Sequence, residues 1–316
     1  MSQPTKLITI LGPTACGKTA LATLLASRIG GQIISADSRQ LYRGMDIGTG
    51  KDLSEYIIDG KPIAYHLIDI VDAGYKYNLY EYCRDFDKAF SSIVTMGATP
   101  ILCGGTGLYI EAVLNGYKMV EVPVDTPLRD SLQGKSIDEL RQILMQYKTL
   151  HNTTDTATVK RAIRAIEIAH YYSRNGISHI EPQSRIDTHI FGIDIDRDTR
   201  RQCITARLKA RLDDGMVDEV KRLLQSGIAP DDLIYYGLEY KYITNYVLDK
   251  ITYNEMFESL QIAIHQFAKR QMTWFRGMER RGFTINWLPF DMDNNEKVER
   301  IRKALNPQSQ VSNLLL

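Results

Sequence analysis

The sequence predicts an α/β fold: a doubly wound parallel sheet, an all-helical subdomain inserted into it, and additional helices toward the C-terminal end. Three observations predict this. Short apolar runs rich in β-branched residues alternate with helical patterns through the first third of the chain. Between about Asp125 and Gly176 only helical patterns occur. A strand-like run from His189 to Ile195 then rejoins the sheet, and three or four helices follow it. The implied division is a core in two parts, 1–120 and 185–316, around an insertion at 121–184.

Taken in order, Leu7 to Leu11 suits a buried parallel strand. It leads into Gly12-Pro-Thr-Ala-Cys-Gly-Lys-Thr19 and then a helix that stops at Gly30-Gly31, where glycine accepts the left-handed cap. Gln32 to Ala36 reads as the second strand. Asn78 and Glu81 form a capping box opening a helix that ends at Gly97, ahead of a strand from Pro100 to Cys103. In the insertion, Ser136 and Glu139 open one helix, and another runs from about Thr156 with Ala162, Ala165, Ile166 and Ala169 on one face. Thr252 and Glu255 open the longest helix, which ends near Gly282. The tail beyond Asp291 is polar and is expected to fray.

Composition excludes several classes. In 316 residues, 44% are hydrophobic and 24% charged, so the chain is not disordered, collagen-like or a coiled-coil rod. With 39 basic and 38 acidic residues the net charge is +1, and any basic footprint for a polyanion must be local. Four scattered cysteines and six scattered histidines offer no zinc spacing and no disulfide framework, which fits a reducing cytosol. The N-terminal apolar run is too short for a signal peptide, and no stretch nears the roughly 20 apolar residues of a membrane span. The expected setting is the cytoplasm, without a membrane.

The motif Gly12-x4-Gly17-Lys18-Thr19 is a complete phosphate loop in its proper place between strand and helix. Backbone amides of residues 12–17 and the helix N-terminus face phosphate oxygens, Lys18 reaches the terminal phosphates, and Thr19 can ligate Mg2+. The fold class is therefore P-loop NTPase-like. Asp37 follows the second strand at the edge where ligands bind, as a magnesium ligand, a general base or the cap of a following helix. Gly104-Gly-Thr-Gly107 would bring the Thr106 hydroxyl to the same edge. In His66-Leu-Ile-Asp69 the carboxylate is either a second magnesium-side acid or a strand cap. Three basic runs stand out. They are Arg197 to Arg211, then Lys160, Arg161 and Arg164, and then Lys269 and Arg276 interleaved with aromatics. Each run alone is more often a solvated helix face, but three of them flanking a phosphate crevice make a polyanionic partner more credible.

Together these residues resemble the tRNA dimethylallyltransferases (tRNA isopentenyltransferases). The matching blocks are the phosphate loop, Asp37-Ser-Arg-Gln-Leu-Tyr-Arg-Gly-Met-Asp-Ile-Gly-Thr49, His66-Leu-Ile-Asp69, Gly104-Gly-Thr-Gly-Leu-Tyr109, Arg161-Ala-Ile-Arg-Ala-Ile-Glu167 and Lys269-Arg-Gln-Met-Thr-Trp-Phe275. The resemblance implies transfer of a dimethylallyl group from dimethylallyl diphosphate to the exocyclic amine of the adenosine just 3′ of the anticodon, in the anticodon stem-loop of tRNA. It implies Asp37 as the base and Thr106 as the hydroxyl beside the reacting centre. Residues Gly12, Pro13, Thr14, Ala15, Cys16, Gly17, Lys18, Thr19 and Arg207 would grip the diphosphate and magnesium. Asp37, Ser38, Arg39, Gln40, Lys160, Arg161 and Arg164 would meet tRNA, and the protein would act as a monomer. The chain departs from the family pattern at Ala157-Thr158, where an Asn-Asp pair is usual, and at Arg211, where Met is usual. Its insertion is also short. Two other readings stand beside this one: a small-molecule kinase using ATP, and a nucleotide-binding regulatory module without chemistry.

Overall fold

The computed structural model describes residues 6–117, 119–150, 155–177 and 186–305. Contacts divide the chain into two compact units, one made of 1–115 with 185–316 and the other of 116–184.

The larger unit is built on a six-stranded sheet whose neighbours all run parallel. Its strands are β1 (Leu7–Leu11), β2 (Gly31–Ser35), β3 (Tyr65–His66), β4 (Thr99–Gly104), β5 (Thr188–Asp194) and β6 (Ile285–Pro289). They lie in the order β6-β5-β1-β4-β2-β3. Every residue of β1 is buried, as expected of a central strand covered on both faces. Ile8, Ile10, Ile33, Ile101 and Ile193 point to one face, where they pack with Leu21 and Leu25 of α1 (Lys18–Ile29). The opposite pleat is closed in part by α2 (Leu79–Thr95), whose Tyr82 hydroxyl donates to the carbonyl of Ser35 at 3.1 Å. The capping box of Asn78 and Glu81 opens α2 as its sequence predicts.

The smaller unit holds α4 (Thr126–Leu132), α5 (Ile137–Met145) and α6 (Val159–Arg174), after α3 (Gly107–Leu114) of the larger unit. Leu132, Leu140, Leu144, Ala162 and Ile166 form its core. Buried Glu167 organises its polar contacts. It accepts from Asp125 N at 2.7 Å, from Arg129 through two nitrogens at 2.9 and 2.8 Å, and from Arg164. Burial pushes the Glu167 carboxyl up, but these donors outweigh it and hold it below its ordinary range.

Among the described residues six helices follow β5, against the three or four expected, and the first five are α7 (Arg197–Asp213), α8 (Met216–Gln225), α9 (Pro230–Tyr235), α10 (Leu238–Val247) and α11 (Tyr253–Arg280). β6 pairs with β5, and the expectation of a frayed tail beyond Asp291 is corrected as far as residue 305, where α12 (Asn294–Leu305) packs on α1; residues 306–316 lie outside the described residues. Val298 and Ile301 are buried in the sheet's core, and Lys297 is buried with its ammonium donating to Phe290 O at 2.9 Å. A short apolar stripe was enough to anchor a mostly polar helix.

Candidate functional site

Three strands end at one rim of the sheet, and each delivers a loop there. The phosphate loop 12–17 follows β1, Asp37 to Gln40 follow β2, and Gly104 to Gly107 follow β4. Because β4 lies between β1 and β2, the three loops are neighbours. Gly104 allows the closeness: a Cβ there would sit 2.3 Å from the carbonyl oxygen of Ala36. Thr106 N donates to that oxygen at 3.1 Å, and the Thr106 hydroxyl accepts from Ser38 N at 3.0 Å. Asp37 Oδ1 accepts from Arg39 N at 2.9 Å, closing an Asx turn. Residues 38–41 form turns instead of a helix, so Asp37 caps no helix.

These loops line a cavity of about 690 Å³. Thr14 to Thr19, Asp37 to Gln40 and Thr106 all reach it, while Gly12 and Pro13 lie buried behind it. Lys18 lines the cavity at the start of α1, its ammonium 3.5 Å from Pro13 O. From α7 come Arg207, which donates to Asp52 Oδ2 at 2.6 Å, and Arg211 beside it. Of the residues expected to meet RNA, Gln40 is tied within the fold. Its Oε1 accepts from Ser35 Oγ at 3.0 Å and its amide donates to Gly50 O at 3.0 Å.

Several lining residues escaped the sequence reading. Buried Gln271 of α11 accepts from Thr14 N at 2.9 Å and donates to Gly105 O at 2.9 Å, so one amide fastens two ligand loops together. Phe267, Arg270 and Trp274 of the same helix face the cavity, whereas Lys269 and Arg276 are exposed and outside it. The available signal was helical periodicity: Gln271 is a polar residue on the stripe of Ile264, Ala268 and Phe275, and a buried amide there needs partners. Glu55 and Glu239 also line the cavity, and burial pushes both carboxyls up.

The loop of residues 46–52 forms another wall, and it is held from behind. Buried Glu219 accepts from the amides of Asp46, Ile47 and Gly48 at 2.8, 2.7 and 3.0 Å, and from the Tyr240 hydroxyl at 2.7 Å. Lys51, 1% exposed, donates to Tyr42 O at 2.5 Å, to Asp46 at 2.7 Å and to Asp69. Asp69 is thereby committed to Lys51 and is not among the cavity-lining residues, which settles its two readings in favour of structure. In the smaller unit Lys160 and Arg161 are exposed on α6, and Arg164 also donates to Val122 O at 2.9 Å. Among the described residues no cluster of three or more His, Cys, Asp or Glu is placed to hold a metal, and no helix is long and apolar enough to cross a membrane.

The IPP transferase family model matches residues 40–278, and the isopentenyl transferase model matches residues 5–63. A tRNA dimethylallyltransferase 2 of Bacteroides fragilis is 61% identical over 95% of this chain and 97% of its own. One of Phocaeicola vulgatus is 59% identical, covering 96% and 98%. Among solved structures, the full-length tRNA isopentenylpyrophosphate transferase of Bacillus halodurans superposes with a TM-score of 0.70 at 29% identity, covering 98% of both chains.

Proposed function

We propose that this chain, a member of the IPP transferase family, transfers a dimethylallyl group from dimethylallyl diphosphate to the adenosine 3′-adjacent to the anticodon of tRNA, and that the cavity above β1, β2 and β4 is where the two substrates meet. The observation that carries this reading is the convergence of Lys18, Asp37 and Thr106, from three adjacent strand ends, on one cavity with Arg207.

The amides of the phosphate loop, Lys18 and Arg207 hold the donor's diphosphate. An Mg2+ ion would rest on the Thr19 hydroxyl, phosphate oxygens and water, a donor set that suits magnesium without a carboxylate cage. When bound, it would neutralise charge building on the leaving diphosphate. The adenosine amine attacks the allylic carbon, an N–C bond forms, and the C–O bond breaks with its electron pair leaving on the diphosphate. The amine proton passes to Asp37, whose turn aims the carboxylate into the cavity mouth, with the Thr106 hydroxyl beside it. Phe267 and Trp274 line the cavity, and their rings would flank the extruded base, offsetting a few kcal/mol of lost stacking. Lys160, Arg161, Arg164, Lys269, Arg276 and the turn 38–40 supply phosphate and base contacts to the stem-loop, with the protein acting as a monomer in the cytoplasm.

The test is Asp37→Asn under single-turnover conditions. It removes basicity and keeps shape, so the chemical step should slow by ~10²–10⁴-fold. Donor and tRNA affinity should change little, and the thermal melt should stay within about 1 kcal/mol of the parent. A near-normal chemical step would remove Asp37 from the base role.

A further inference from the structure

Arg207 and Arg211 stand one helical turn apart on α7 and turn both guanidinium groups onto the same carboxylate. Asp52 Oδ2 is 2.6 Å from Arg207 Nη2 and 3.5 Å from Arg211 Nη2. Arg207 takes the hydrogen bond. Arg211 Nη2 is buried and has no hydrogen-bond partner. A buried guanidinium nitrogen without an acceptor is costly, since it has given up water for nothing. Burial first, and then the Arg207 charge, push the Arg211 side chain below its ordinary range.

The position is nevertheless built for it. Gly50 has φ +68, and a Cβ there would lie 1.7 Å from Arg211 Nη2 and 2.7 Å from Arg207 Nη2. Both guanidiniums therefore rest on a backbone that only glycine leaves bare. That backbone is fixed by Gln40 at Gly50 O, and its loop by Glu219 and Lys51. Glu55 and Glu239 line the same cavity, and burial pushes both carboxyls up. Lys18 adds a further cation on the cavity wall.

We infer that Arg211 is a second guanidinium for the diphosphate, acting beside Arg207 and opposite the phosphate loop, and that it sets the preference for a diphosphate over a single phosphate. The inference rests on the donor reading above. A lone phosphate on the loop is served by Lys18 and the amides. A second phosphate extends the anion toward the arginine pair, and Arg211 Nη2 supplies the donor that the fold leaves unused.

The probes are inorganic diphosphate and inorganic phosphate, each titrated calorimetrically with magnesium chloride into the parent protein, Arg211→Met and Arg211→Lys. The Met variant should melt at or above the parent temperature without ligand, because it removes a buried guanidinium nitrogen that has no hydrogen-bond acceptor and only a 3.5 Å contact with Asp52. It should bind diphosphate about 10- to 100-fold more weakly, the scale of one charge-assisted hydrogen bond. Phosphate affinity should move much less, and Lys should restore part of the loss. Equal diphosphate affinity in parent and Met variant would overturn the role of Arg211 and leave the donor reading standing. If the parent protein itself bound no diphosphate, the donor reading would fall and take this inference with it.

Discussion

Two clusters of positive charge meet the loop of residues 46–52, and they are solved in opposite ways. Behind it, Lys51 is buried and has three acceptors: Tyr42 O, Asp46 and Asp69. On the cavity side, Arg207 and Arg211 share one oxygen of a half-exposed Asp52, and one buried nitrogen has no acceptor. The first arrangement is what a fold does with a charge it needs for itself. The second leaves a donor on the cavity wall, which is the arrangement the diphosphate proposal uses. Satisfaction of hydrogen bonds, more than burial or net charge, separates these two sets of cations.

The contrast breaks most visibly at Lys51. Lys51→Met leaves Asp69 and the carbonyl of Tyr42 without their partner, which should cost about 3–4 kcal/mol in chemical denaturation. It should also weaken diphosphate binding, because Gly50 and Asp52 lose their fixed frame. A melt unchanged from the parent would show that the buried cluster is not the anchor of that loop.

The helical unit repeats the contrast on one helix. Arg164 bonds Glu167 and Val122 O, while Arg161 stands exposed three residues earlier. Arg164→Ala should cost about 1–2 kcal/mol of stability, moderated because Arg129 still holds Glu167. Arg161→Ala should leave the melt alone, weaken tRNA binding, and reduce the slope of log affinity against log salt by about one unit. Salt-titrated tRNA binding with paired melts reads both. Equal behaviour of the two variants would erase the distinction.

Much of this was legible in the sequence because phosphate chemistry imposes fixed spacing. The loop ending in Lys18-Thr19 can be read from its glycines, and Asp37 and Thr106 from their places after strands. What could not be read were contacts made across the fold. Gln271 closes on residues more than 160 positions away, so its role waits on tertiary structure. Arg164 belongs to a basic run, and its bonds to Glu167 and to the carbonyl of Val122, 42 positions away, could not be read from that run. The C-terminal helix misled because its composition is polar, while Val298 and Ile301, with Leu305 beside them, carry the face that docks. Composition averages over a helix, whereas packing is settled by the stripe.

The smallest expected effect sharpens the comparison at Glu239, which lines the cavity near the unsatisfied arginine. Burial pushes its carboxyl up, and Arg211 pulls the other way without cancelling it. The sign follows from linkage. A carboxyl whose folded value lies above its unfolded value of about 4.3 binds its proton more tightly when folded. Stability therefore falls as pH rises from that unfolded value through the raised one, and levels off above it. Glu239→Gln has no such proton, so it should melt like the parent at low pH and above it near neutrality. It also removes a competitor for Arg211, so diphosphate affinity at neutral pH should hold or rise. Melts across that pH range with a parallel diphosphate titration check both halves. A loss of affinity in the Gln variant would mean that Glu239 positions Arg211 for the ligand, and that the arginine pair is more completely satisfied than its hydrogen bonds suggest.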